Sequence, residues 1–112
     1  MPEPRHVAVE LDQIVEAARA AGDQWREFLR AGMFSAGLYR LSAGETDHQT
    51  PHAEDEIYYV LAGRAELEVE GKRRAVEPGS IAFVAKLAEH RFVDIVEDLE
   101  LLVIFAPPET DP

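Results

Sequence analysis

The segment from Gly44 to Gly63, together with His90, carries the side chains best suited to bind a metal ion. Two histidines, His48 and His52, and several carboxylates stand immediately before an apolar run, and His90 follows a Pro-Gly turn later in the chain. Neutral imidazole and carboxylate are ligands that divalent iron, manganese, nickel, copper and zinc share. Because the chain has no cysteine, we expect any such site to use nitrogen and oxygen donors.

The composition limits the class of protein and its partners. A chain of 112 residues with 46% hydrophobic and 29% charged residues is typical of one soluble globular domain. The formal net charge of −11 argues against nucleic acid or an anionic membrane as a partner. No apolar segment resembles a signal peptide or approaches the ~20 residues of a membrane helix, so we expect a cytoplasmic protein.

Residues 1–32 are predicted to form a helical segment that packs on the rest of the domain. Apolar residues recur at helical spacing between Val9 and Ala21, and Gly22 marks the end of this helix. A second short helical turn is predicted over Gln24–Arg30. The apolar positions of the two helices are Leu11, Ile14, Val15 and Ala18, followed by Trp25, Phe28 and Leu29.

From Met33 onward the pattern changes to short strands separated by turns, which favours a β-sandwich or β-barrel over residues 33–107. Alternation of apolar and charged residues from Ala65 to Glu70 predicts a strand with one buried face, and Glu70-Gly71 predicts a tight hairpin turn. Residues 108–112 form a polar tail that we expect to be frayed. The predicted strands are Met33–Leu41, Gln49–His52, Glu56–Leu61, Ala65–Glu70, Lys72–Val76, Ile81–Val84, His90–Ile95 and Leu99–Phe105.

The spacing of these residues resembles the two sequence motifs of the cupin superfamily. In the first motif a glycine is followed after five residues by His-x-His, then by a glutamate and a second glycine. Gly44, Thr50-Pro51-His52, Glu56 and Gly63 have this spacing. The second motif is matched more loosely, by Gly71, Pro78-Gly79-Ser80, His90 and, where asparagine is usual, Asp94.

The resemblance implies an all-β fold: a cupin β-barrel of the jelly-roll type, with one or two short N-terminal helices. It also implies a metal inside the barrel and a homodimer, as in many similar small cupins. The residues agree with this interpretation, because His52 and Glu56 have the same strand parity and His90 can face the same interior. Two histidines and one carboxylate with open positions are the ligand set of non-haem Fe(II) oxygenases.

One ligand position departs from the family pattern. Thr50 stands where most metal-binding cupins carry their first histidine, and a neutral hydroxyl binds a divalent ion weakly. His48 is the favoured replacement because imidazole is the better ligand, and Gln49 is the second choice, on the metal or on a bound substrate. Pro51 cannot donate to a sheet ladder, so this segment is expected to be bulged or irregular.

The function implied by the resemblance is that of a metal-dependent enzyme acting on a small organic molecule, either dioxygenase-like or an isomerase or lyase. One divalent ion (iron, manganese, nickel, copper or zinc) would be held by His48, His52, Glu56 and His90, and no catalytic residue is assigned. The alternative is a non-catalytic module that binds or senses a small ligand, and Thr50 favours it because the ligand set is incomplete. Predicted substrate contacts are Gln49, Thr50, Tyr58 and Phe92, with core packing an equal alternative for Tyr58.

Overall fold

A computed structural model of the chain describes residues 5–110. This part contains one helix and six strands, all of them antiparallel to their neighbours. In chain order the elements are α1 (Leu11–Ala21), β1 (Trp25–Arg30), β2 (Ser35–Leu41), β3 (Asp55–Val69), β4 (Lys72–Val76), β5 (Ile81–Val84) and β6 (His90–Ala106). The fold is therefore mainly antiparallel β, as predicted.

Helix α1 ends where the sequence predicts. Gly22 has a φ of 69°, and its N–H reaches the carbonyl oxygens of Ala18 and Arg19, which is the usual way for glycine to close a helix. Ala18 is buried against the sheet. The guanidinium of Arg19 donates two hydrogen bonds, of 2.9 and 2.8 Å, to the carboxylate of Glu100 on β6. Burial of Ala18 and this ion pair fix the helix on the outside of the barrel.

The second helical turn predicted over Gln24–Arg30 is wrong, because Trp25–Arg30 is strand β1, which pairs with β2. The register of this pair shifts between Glu27 and Leu29, so that Phe28 is an extra, bulged residue. A bulge changes the parity of a strand, and apolar residues at positions 25, 28 and 29 then have the spacing of a helical turn without forming one.

Two long strands, β3 and β6, organise the sheet. The strand order is β1-β2-β6-β3-β4, and β5 pairs with β3 beside them. Each long strand combines two predicted strands: Glu56–Leu61 with Ala65–Glu70 in β3, and His90–Ile95 with Leu99–Phe105 in β6. They are continuous because the chain bends without leaving the ladder. The bend lies at Gly63, whose φ is 95° and whose backbone packs directly on the carbonyl of Asp98. The hairpin predicted at Glu70-Gly71 is confirmed between β3 and β4.

Two loop segments differ from the predictions. Gln49–His52 is not a strand, in accordance with the irregularity expected from Pro51; the carbonyl of His52 instead accepts a 2.8 Å hydrogen bond from the N–H of Leu87. The end of the chain is not frayed as far as residue 110. The N–H of Glu109 donates to Ser35 Oγ at 2.9 Å, and this bond is buried. Residues 111 and 112 lie outside the described part.

The core fills the inside of the curved sheet. Its largest fully buried side chains include Tyr58, Phe92, Leu99 and Leu101. Within residues 5–110, no helix is long and apolar enough to cross a membrane.

Candidate metal centre

Three of the predicted ligands meet inside the barrel. His52, Glu56 and His90 each offer a donor atom, and these atoms lie within 4.8 Å of one another. Glu56 pairs with Phe105 at one end of the β3–β6 ladder, whereas His90 pairs with Val69 at the other end. Strand pairing therefore does not bring the two residues together. The two residues approach each other because the ladder curls over the core. The loop before β3 adds His52 to them.

The orientation of His90 is set by a backbone carbonyl. Its Nδ1 lies 2.9 Å from the carbonyl oxygen of Ala88, so Nδ1 carries the proton and Nε2 faces the site. Nε2 is 2.7 Å from Glu56 Oε1 and 3.0 Å from the hydroxyl of Tyr58. Burial lowers the pKa of His90, but the interactions with Glu56 and with the Ala88 carbonyl outweigh it and leave this pKa raised.

Glu56 is the least satisfied group in the described part of the chain. It is 2% exposed, and neither of its carboxylate oxygens has a hydrogen-bond partner; its contact with His90 is an ion pair. A buried carboxylate without partners is costly unless a cation accompanies it. Two imidazoles and one such carboxylate, all within reach of a common point, fit a divalent ion of the iron, manganese, nickel, copper or zinc kind.

A buried aspartate that the sequence analysis missed supports this cluster. Asp47 is 4% exposed and accepts hydrogen bonds from the N–H of Phe92 at 2.8 Å and from the hydroxyl of Tyr39 at 2.7 Å. It also accepts one from the side-chain amide of Gln49 at 2.7 Å. Nothing in the sequence distinguishes Asp47 from other acidic residues of the same loop, since its partners come from β2 and β6.

Gln49 belongs to this hydrogen-bond network. Its Oε1 accepts a 3.0 Å hydrogen bond from the hydroxyl of Tyr58, which itself lies beside His90. Burial and the neighbouring Glu56 raise the pKa of Tyr58 well above its usual value, so the phenol remains protonated. The chain Asp47–Gln49–Tyr58 therefore positions the hydroxyl of Tyr58 at the centre.

A cavity of about 250 Å³ opens in front of the three residues. A larger groove, of about 890 Å³, runs between β4 and β5 and contains none of them, so its size does not make it the functional site. The walls of the smaller cavity are largely aromatic and polar: Trp25, Tyr39, His48, Gln49, Thr50, His52, Glu56, Tyr58, Val103, Phe105 and Glu109.

The remaining predicted site residues lie at different depths. His48 and Thr50 are exposed at the wall of the cavity, and neither belongs to the group of donor atoms that meet. Tyr58 and Gln49 line the cavity, and their contact with a substrate stays a prediction. The prediction for Phe92 needs correction: it is 1% exposed, packs edge-on against Tyr58 and is not part of the cavity wall.

Glu109 is a second residue that the sequence analysis missed, because it lies in the tail expected to fray. It is 8% exposed and lines the cavity, with Oε2 3.8 Å from Nδ1 of His52. Burial and the nearby carboxylate of Glu54 raise the pKa of Glu109 to about 7. The signal that reveals it is tertiary, namely the anchoring of its backbone by β1 and β2.

Comparisons with known proteins agree with this architecture. The model of the cupin domain family matches residues 37–105. An uncharacterized protein of Streptomyces coelicolor is 47% identical over 104 residues, which cover 92% of this chain and 98% of that protein.

Two solved structures show the same fold at lower identity. KdgF from Halomonas sp. has a TM-score of 0.68 at 24% identity, covering 74% of this chain and 76% of that one. The DMSP lyase DddQ from Ruegeria pomeroyi has a TM-score of 0.66 at 23% identity, covering 76% of this chain and 48% of that one.

Proposed function

Because the chain belongs to the cupin family, we propose that its buried histidines and glutamate hold one divalent metal ion at the base of a small-molecule site. The protein would then be a metal-dependent enzyme that acts on a small organic molecule. The observation that carries it is Glu56, whose two carboxylate oxygens are buried beside two imidazoles without hydrogen-bond partners. Buried carboxylates usually accept several hydrogen bonds from donors of the protein, whereas Glu56 has only its ion pair with His90.

His52, Glu56 and His90 would hold the ion. When bound, it would supply Lewis acidity toward a carbonyl or carboxylate, or oxygen chemistry if it is redox-active. The DMSP lyase of this fold shows that such a barrel accommodates lyase chemistry, but at 23% identity the likeness concerns the fold alone.

The protein's own groups prepare the site for this task. The carbonyl of Ala88 holds the Nδ1 proton of His90 and thereby leaves Nε2 free to act as a ligand. The hydroxyl of Tyr58 is protonated and held by Gln49, and this residue lines the cavity beside the proposed ligands. Trp25 and Phe105, packed edge to face at 5.9 Å, form an apolar wall that limits water at this end of the cavity.

A second candidate function, a non-catalytic module that binds a small ligand, is favoured by one observation. Thr50 is exposed at the position where the family pattern has its first histidine. The cluster of possible metal ligands therefore contains three residues, His52, Glu56 and His90. An ion held by three ligands binds more weakly than one held by four, and a site filled only at high metal concentration suits a sensor or carrier better than an enzyme.

The test is metal analysis by mass spectrometry, with calorimetric titration of the stripped protein, for the native chain and for Glu56→Gln and His52→Ala. We expect about one ion per native chain and an affinity at least ~10-fold lower in both variants. His6→Ala is the matched control, since His6 is exposed and outside the group, and it should bind as the native protein does.

A further measurement separates loss of a ligand from loss of the fold. Metal-free Glu56→Gln keeps the shape of the side chain but loses the ion pair with His90, so it should be less stable to urea than the native protein and still unfold in one cooperative transition. Native protein that binds no metal after reconstitution, or variants that bind it unchanged, would rule out the metal site. Metal bound at native strength without turnover of any small-molecule substrate would favour the binding module.

We also propose that the protein forms a homodimer. Four large apolar side chains cover the outer face of β3 and β5, where Ile57 pairs with Phe83 and Tyr59 with Ile81. They are between 39% and 71% exposed, and cross-strand partners share a face, so they form one contiguous patch. Contiguous apolar patches of this kind mark association surfaces in proteins otherwise covered by charge.

A further inference from the structure

The wall of the cavity at the candidate metal centre contains carboxylates but no lysine or arginine of residues 5–110. The two carboxylates are those of Glu56 and Glu109. The charge of Glu56 is matched by His90 and would be matched by a bound metal. The carboxylate of Glu109 faces His52 at 3.8 Å, beyond hydrogen-bond distance, and no described side chain donates a hydrogen bond to it. Glu109 has a pKa of about 7, and above that pH its negative charge is matched by no described lysine or arginine of the wall.

The backbone of Glu109 is held firmly in place. Its N–H donates to Ser35 Oγ, and its carbonyl oxygen accepts a 2.7 Å hydrogen bond from the guanidinium of Arg30. The next residue, Thr110, donates to the carboxylate of Glu54 at 2.9 Å. Arg30 is thus bound to the backbone of Glu109 and to Glu27, away from the cavity. A side chain fixed in this way by neighbouring elements can select among ligands.

Aromatic rings form the rest of the wall. Phe105 lies between the ring of His52, at 5.0 Å, and the ring of Trp25, at 5.9 Å. Tyr39 continues this wall, with its ring 6.5 Å from that of Trp25 and its hydroxyl bound to the buried carboxylate of Asp47. Aromatic faces attract organic cations, and the attraction increases when a carboxylate is near. An anion, in contrast, would find no lysine or arginine in the described wall to offset the cost of its burial.

We infer that this cavity selects a small organic cation, such as an alkylammonium ion, over neutral and anionic molecules of the same shape, and that Glu109 determines this selectivity. The inference rests on the proposed function insofar as the same cavity receives the small molecule, but the charge and the aromatic wall are present with or without metal. Glu109 lies beyond residues 37–105, the part that the cupin model matches, so the selectivity belongs to this chain and not to the family pattern.

Three probes of nearly the same shape test the inference. Choline, 3,3-dimethylbutan-1-ol and 3,3-dimethylbutanoate are positive, neutral and negative versions of a branched C6-sized molecule. Binding is measured by NMR chemical-shift titration at pH 8, where Glu109 is mostly ionised, on metal-free and metal-loaded protein. For both forms we expect choline to bind about 3- to 30-fold more tightly than the neutral alcohol, and the carboxylate to bind metal-free protein most weakly.

Matched variants assign the preference to one side chain. Glu109→Gln should reduce the ratio of choline to alcohol affinity by at least ~3-fold, whereas Glu16→Gln, which removes the same charge from the exposed face of α1, should leave it unchanged. The inference is overturned if choline does not bind, if the alcohol or the carboxylate binds metal-free protein as tightly, or if Glu109→Gln keeps the native ratio.

Failure of the metal proposal would look different. Metal content is determined on the same samples, so protein that takes up no metal but still prefers choline contradicts the proposed function and leaves the cation selectivity standing. Protein that takes up one metal ion but shows no preference for choline supports the proposed function and contradicts the cation selectivity.

Discussion

At the scale of residues, the site depends on buried polar side chains that are linked to one another by hydrogen bonds. Tyr58 is 1% exposed, donates to Gln49 Oε1 at 3.0 Å and stands 3.0 Å from Nε2 of His90. Asp47 binds the same glutamine and a backbone N–H of β6. Because these groups are buried, each hydrogen bond that is lost leaves a partner that water reaches poorly, and such losses cost more than the net value of the bond.

This predicts that Tyr58→Phe destabilises the protein by about 1–2 kcal/mol, because Gln49 loses the donor to its side-chain oxygen. Tyr59→Phe is the control, since the neighbouring Tyr59 is 39% exposed and the same hydroxyl is removed. Its stability should stay within ~0.5 kcal/mol of the native value, because the substitution keeps the ring that belongs to the apolar patch. The measurement is urea denaturation of the metal-free proteins. Equal losses in the two variants would contradict a structural role for the Tyr58 hydroxyl.

At the scale of elements, two bent strands create the interior. β3 and β6 pair along their length with register shifts between Val60 and Glu66, and this irregular stretch contains Gly63. A Cβ atom built at Gly63 would lie 2.3 Å from the carbonyl oxygen of Asp98 and 2.7 Å from the Cα of Leu99. The backbones of the two strands therefore touch where the ladder bends, and only glycine allows that approach.

We expect Gly63→Ala to destabilise the fold by more than Gly79→Ala, by at least ~2 kcal/mol. The two glycines have the same φ of 95°, but a Cβ at Gly79 meets no atom within 4 Å. The pair thus separates the backbone strain, which both variants share, from the clash with Asp98, which only one suffers. Thermal and urea unfolding measure the difference, and equal losses would show that the close approach relaxes at little cost.

At the scale of the whole molecule, charge and apolar surface are unevenly distributed. The chain has a net charge of −11, yet Ile57, Tyr59, Ile81 and Phe83 expose an apolar patch on β3 and β5. The inner face of β3 carries Glu56 and Tyr58, so association through the outer face would cover the sheet directly behind the candidate metal centre. A dimer would in this way stiffen the strand that carries Glu56.

Light scattering with size-exclusion chromatography should therefore show a native dimer and a monomeric Phe83→Glu variant, because a charge within the patch opposes its burial. Val96→Glu is the control: Val96 is 68% exposed, close to the 64% of Phe83, but lies on β6 outside the patch. It should remain dimeric. A native monomer at micromolar concentration, or two variants that dissociate alike, would contradict the proposed interface.

The sequence by itself determined the β class, the helix that ends at Gly22, the hairpin at Glu70-Gly71 and the family. It could do so because these features depend on local patterns: helical or alternating spacing of apolar residues, glycines at turns, and a motif with fixed spacing. It also singled out His52, Glu56 and His90, since the residue types themselves indicate metal chemistry. Where a bulge at Phe28 altered the strand parity, the same local reasoning mistook a strand for a helical turn.

Only the tertiary structure decided which of the candidates meet. Glu56 and His90 approach because a long ladder curls on itself, a consequence of packing that no spacing along the chain encodes. Asp47 and Glu109 have their places because hydrogen-bond partners from distant strands hold them. Their acidic character is visible in the sequence, but the same side chain in water is an ordinary surface charge, and its burial depends on contacts made only in the folded state.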